Sequence, residues 1–153
     1  MIGKRIELDG ANVEKGGQQF VNGRAFAKDG YTRIHRIEPA GFASSPVKGA
    51  KAYLIAANGD ADQAFVFGGE HPGHRPGDLP PGATALYDHN GNVIKLWMDE
   101  VIMDFGNRTI TMTGGEWKIA GNVTITGNLE VAGNIHATGS IIDDGGNTPH
   151  HTH

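Results

Sequence analysis

The sequence predicts an all-β protein, a small N-terminal barrel followed by an elongated repeat segment. Three observations carry this reading. Glycine recurs every six residues from Gly121, short runs of alternating apolar and polar residues fill the first half, and no stretch shows convincing helical spacing.

The repeat organises the rest. Its units are GNVTIT from Gly121, GNLEVA from Gly127, GNIHAT from Gly133 and GSIIDD from Gly139. The third and fifth positions carry Val123 and Ile125, Leu129 and Val131, Ile135 and Ala137, Ile141 and Asp143. Between them stand mostly polar residues: Thr124, Thr126, Glu130, His136 and Thr138. Alternation at period two means a strand with one buried face, and a regular glycine marks a bend. Each unit is therefore one short strand and one turn.

Such a unit cannot stand alone. Two apolar side chains contribute very roughly 1.5–3 kcal/mol each when fully buried, while ordering six residues costs about 1–2 kcal/mol per residue. Neighbouring units must cover the apolar face. A single-chain hexapeptide helix needs about three sixes per coil, and four sixes barely exceed one coil. Three copies wound about a common axis resolve the shortage, so the segment reads as an intertwined triple-stranded β-helix.

Composition sets further bounds. The chain has 153 residues, enough for one small domain and an extended segment. Its 24 glycines are about twice the usual share, but without a period of three, which excludes collagen. There is no cysteine, hence no disulfide, no thiolate chemistry and no cysteine-type zinc site. No apolar run approaches the roughly 18–20 residues of a membrane-spanning helix, and no signal-peptide pattern opens the chain. Work outside a cell would require an exit other than signal-directed secretion. A net charge of −4 gives no electrostatic reason to expect nucleic-acid binding.

In chain order, residues 5–9, 18–22, 31–37, 50–57 and 64–67 read as strands, with Gly10, Asn58-Gly59 and Gly68-Gly69 as turns. Five short strands with close turns predict an antiparallel barrel of the oligosaccharide/oligonucleotide-binding (OB) type. Residues 41–46 read as a loop. Residues 70–82 hold four prolines, three glycines and two histidines, and end the first domain, placed at 1–82. Residues 83–87 and 92–97 flank Asn90-Gly91 as a hairpin. Further strands are expected at 101–105, 108–113 and 117–120, so the β-helix is placed at 83–144 with the hexads at 121–144. A tip segment, 145–153, ends the chain.

That ending is the second informative feature. His151 and His153 stand at i and i+2, on one side of an extended chain. One chain supplies half a metal site; three chains about an axis supply six imidazoles, an octahedral set. Imidazole suits iron, nickel, copper or zinc, and six nitrogens favour Fe(II) or Ni(II) over tetrahedral zinc. The competing reading is a solvated tail or part of a purification tag. A tag is usually a pure histidine run, whereas this tail follows a repeat that itself calls for threefold symmetry; the metal site is the better reading.

Other residues carry blander readings. His71, His74 and His89 lie in loops and read as solvated. His136 faces outward, and His150 points away from the proposed ligands. Asp143 and Asp144 before Gly145 read as a turn. Trp97 and Trp117 read as packing residues between neighbouring chains. Asp99 with Glu100, and Asp60 with Asp62, are paired in sequence only, so no catalytic residue is assigned and no enzyme is expected.

The barrel segment, GFASSP at residues 41–46, ALYDHNGNVIKL at 85–96, the hexads and the terminal HTH together resemble the central baseplate spikes of contractile-tailed phages. That family is the baseplate assembly protein V group, with Mu-like and P2-like members. The resemblance runs along most of the chain, and it implies a homotrimer with an OB collar joined to the baseplate hub and tail tube. It further implies a β-helix with a tip closed by an iron ion, Fe(II), held by His151 and His153 of three chains. Chloride or calcium near the tip axis also belongs to the family, with no residues here to assign. The N-terminal region is short for the family, so a trimmed collar or a missing first strand is expected.

The implied function is mechanical: a spike in the virion, at the tip of the tail baseplate, assembled in the host cytoplasm and driven through the host outer membrane on contraction. Terminal residues normally fray, and a metal joining three chain ends would stiffen the point. Two other classes compete. A hexapeptide-repeat acyltransferase needs more coils than four sixes supply. An OB-type binding module, or an adaptor in a tail-like secretion device, would want a basic groove with exposed aromatics, and the barrel segment shows few of either.

Overall fold

The computed structural model describes residues 2–26 and 29–142. The chain divides into two compact units, Met1–Thr111 and Met112–His153. Among the described residues there is no α-helix; the first unit contains nine strands and two single 3₁₀ turns.

Six of these strands build the first sheet: β1 (Ile2–Leu8), β2 (Val13–Lys15), β3 (Gln18–Ala25), β4 (Gly30–Arg36), β5 (Lys51–Ala56) and β6 (Ala64–Glu70). Their order is β1-β5-β6-β4-β3-β2, and an added β1–β3 pairing closes five of them into a barrel with β2 as an outer extension of β3. Every pairing is antiparallel except β4 with β6, which run parallel through His35↔Phe65 and Arg36↔Val66. This is the OB-like topology expected from the sequence. The first strand of this chain, β1, pairs with both β3 and β5.

Alternation explains the barrel. Along β3 and β5 every second residue is buried, so Val21, Ala52, Leu54 and Ala56 point inward. With Ile6, Leu8, Ile34, Ala50, Ala64 and Val66 they form the core. Four of the ten are alanine, which suits the narrow bore of a five-stranded barrel. Closure depends on Gly23, which pairs with Leu8. A Cβ there would stand 2.7 Å from the Glu7 carbonyl oxygen and 3.3 Å from both Ile6 and Leu8 side chains.

The second sheet is a meander of β7 (Thr84–Tyr87), β8 (Val93–Trp97) and β9 (Glu100–Asp104). Its first turn is set by Asp88. The Asp88 carboxylate accepts from the backbone N–H groups of Asn90 and Asn92, at 2.8 and 3.0 Å, and from the Asn92 side chain at 2.6 Å. Partial desolvation pushes this carboxyl up, but those hydrogen bonds outweigh it and hold the group below its ordinary value.

Residues 108–113 and 117–120, expected as strands, form none, and neither do the described hexads at 121–142. A strand needs a ladder partner. Among the described residues the single chain offers these segments none.

Candidate functional site

The second unit keeps the sequence rhythm in its backbone. Bends fall at Gly121, at Thr126 and Gly127, at Ala132 and Gly133, and at Thr138 and Gly139. Between the bends the chain carries the apolar pairs, and every large member is exposed: Val123, Ile125, Leu129, Val131, Ile135 and Ile141. Trp117 and Ile119, two and four residues after Gly115, share that phase and are also exposed. A contiguous apolar surface of this kind marks an interaction site.

The second sheet shows a similar face. Leu86 pairs with Ile94 and Ile94 with Met103, while Leu96 pairs with Val101. Directly paired residues share a face, so these five aliphatic side chains lie together. Leu86, Leu96, Val101 and Met103 are each more than half exposed. Trp97, on the opposite face, is half-buried beneath the Lys95 ammonium, 5.1 Å from the ring centroid.

The predicted metal ligands, His151 and His153, lie outside the described residues, as do His150, Asp143 and Asp144. Imidazole as a donor suits zinc, copper, iron or nickel. Among the described residues no three His, Asp or Glu side chains stand ready to hold a metal. His136 is exposed. Asp60 accepts from the Asp62 backbone N–H at 2.9 Å, so this acidic pair is a turn cap.

Two arrangements escaped the sequence reading. Arg36, on the inward side of β4, is buried and hydrogen-bonded through all three guanidinium nitrogens. It donates through Nε to the Gly68 carbonyl at 2.7 Å. Its terminal nitrogens reach the Gln19 side chain, the Ser44 carbonyl and hydroxyl, and the Glu38 carboxylate at 2.8 Å. This network fastens the loop after β4 across the barrel. The second arrangement brings His71, His74 and His89 together, with ring centroids 4.4 Å apart for the first pair and 6.0 Å for the second. A histidine three residues after another within a turn was the available signal for the first pair. Nothing local marks His89.

A closed five-stranded OB-like barrel, followed by a meander and a glycine-paced apolar repeat, defines a barrel-and-repeat protein built around an exposed apolar face. Comparison with known proteins narrows the class. Residues 11–73 match the family model described as Bacteriophage Mu Gp45, N-terminal. Over 66 residues the chain is 32% identical to the baseplate puncturing device gp45 of Escherichia phage Mu, covering 43% of this chain. The match spans about a third of that relative's length, 34%. Over this segment the chain is a distant homologue of the phage Mu Gp45 family.

Proposed function

We propose that this chain is the structural piercing spike of a contractile-tail baseplate, acting as a homotrimer and without enzymatic chemistry. The observation that carries the reading is the exposed apolar row paced by glycine at every sixth residue, in a chain homologous to a baseplate puncturing device. Three copies about one axis would bury that row and supply the backbone ladders that a single chain lacks. The intertwined β-helix would extend over 83–144, with the barrel at 1–82 as the collar toward hub and tube proteins.

At the tip, His151 and His153 of three chains would hold one iron ion. Bound there, the metal contributes a cross-link among three chain ends rather than a reaction. The residues do the mechanical work: apolar pairs stack into a rigid prism, and the glycines let the chain turn corners. Force applied at the collar then reaches a narrow point that meets the host outer membrane first.

Mass in solution together with metal analysis of tag-free protein tests both parts. A trimer carrying one iron per three chains is expected. A metal-free monomer would remove the symmetry argument and the tip site, and ligand affinity in such a monomer would favour an OB-type binding module. His151→Ala should lose the metal yet stay trimeric; full metal retention would sink the ligand assignment.

A further inference from the structure

The connection leaving the barrel turns at once after β6. The backbone N–H groups of His74 and Arg75 donate to the His71 carbonyl at 3.0 and 3.1 Å, forming a single helical turn. Inside it, the Gly73 N–H donates to His71 Nδ1 at 3.1 Å. An imidazole nitrogen that accepts a hydrogen bond carries no proton, so this bond requires neutral His71 with its proton on Nε2. The turn also lays the His74 ring over that of His71, with centroids 4.4 Å apart. His89, in the β7–β8 turn, meets His74 edge-on at 6.0 Å. Three imidazoles from two separate turns thus share one junction.

The charged and titratable groups facing this junction come from every side. Glu7 of β1 acts on His71, but its carboxylate is ion-paired with Lys51, which holds it below the ordinary value. Lys48 lies beside the same carboxylate. Arg36, Glu38, Glu70, Tyr87 and Asp88 line the groove with the three histidines. Glu38 is engaged by Arg36, and Asp88 by Asn90 and Asn92. Arg75 follows His74 directly. Glu70 remains as an exposed carboxylate at the end of β6. Glu7 and Asp88 stay anionic beside His71 and His89, while protons on both His71 and His74 would set like charges on rings whose centroids are 4.4 Å apart.

We infer that His71, His74 and His89 form a pH-sensitive latch between the barrel and the meander. Neutral, the cluster holds the 71–75 turn against the β7–β8 turn. Protonation removes the Gly73-to-His71 hydrogen bond and sets the stacked rings in mutual repulsion, which releases the connection that joins the two sheets. Imidazole is the side chain that changes charge on mild acidification. The inference does not rest on the spike reading and stands or falls separately from it.

Amide hydrogen exchange on the full chain at pH 7.5 and 5.5, corrected for the intrinsic pH effect, tests the latch. Protection at residues 73–75 should fall by about tenfold at the lower pH, while the core strand β5 stays unchanged. In His74→Gln the fall should shrink to about threefold or less. Nitrogen NMR of His71 at pH 7.5 should show the proton on Nε2. Equal protection at both pH values, a proton on Nδ1, or an undiminished fall in the His71→Gln/His74→Gln variant would overturn the inference.

Discussion

Arg36 and Asp88 show how single side chains hold irregular segments of this protein. Arg36 and Gln19 are the buried polar side chains of the barrel among the described residues, and the Arg36 hydrogen bonds replace the water it lost on folding. Arg36→Met leaves the Gln19 side-chain oxygen without its donor, takes one donor each from the Gly68 and Ser44 carbonyls, and removes the cation beside Glu38. Removing one partner of a buried ionic network costs about 3–5 kcal/mol, and denaturant unfolding should show a loss near the lower end, since Glu38 is partly accessible. Asp88 acts by charge. Its carboxyl titrates below the ordinary aspartate value of 3.8, so its stabilisation of the β7–β8 turn is complete above that value. The stabilisation is lost as pH falls through the lowered folded value. Asp88→Asn should erase that acid dependence, as read from the backbone amide signals of Asn90 and Asn92 between pH 5 and 2. An unchanged acid transition would place its origin elsewhere.

Among the strands, barrel closure is the sensitive point. Gly23→Ala forces a methyl group against the Glu7 carbonyl across the β1–β3 seam. The expected cost is about 1–3 kcal/mol, as for other overpacked sites. Leu54→Ala, at a fully buried position, should cost about 2–5 kcal/mol in the same unfolding measurement. The barrel strands were legible because each buries one face, which writes a period of two into the residues. β2 was not: its three residues are all exposed, so no alternation exists to read. The parallel β4–β6 pairing was also hidden, because register between distant strands leaves no local pattern. The opposite holds for the hexads, whose strand pattern is plain while the single chain forms no ladder. On the proposed trimer, the sequence there describes an assembly rather than one chain. The histidine junction was illegible for yet another reason: His89 reaches His74 only through the geometry of a separate turn.

Taken whole, the protein pairs a unit whose strands find their partners within the chain with one whose described residues form no strand. The proposed trimer makes this difference testable. Ile125→Asp with Val131→Asp would place charges in the apolar row, and the expected species in solution is a monomer with an intact barrel. A trimer that survives both substitutions would show that the row is not the interface. The same contrast has a consequence in time. The barrel can fold by encounters within one chain, at a rate indifferent to how many chains are present. The repeat, on the proposed assembly, can only zip when copies meet, so its folding must speed up with concentration. Refolding should therefore split into an early step independent of dilution and a late step that dilution slows. Where copies are scarce, finished barrels would wait with open tails, and the supply of chains would set the pace at which spikes mature.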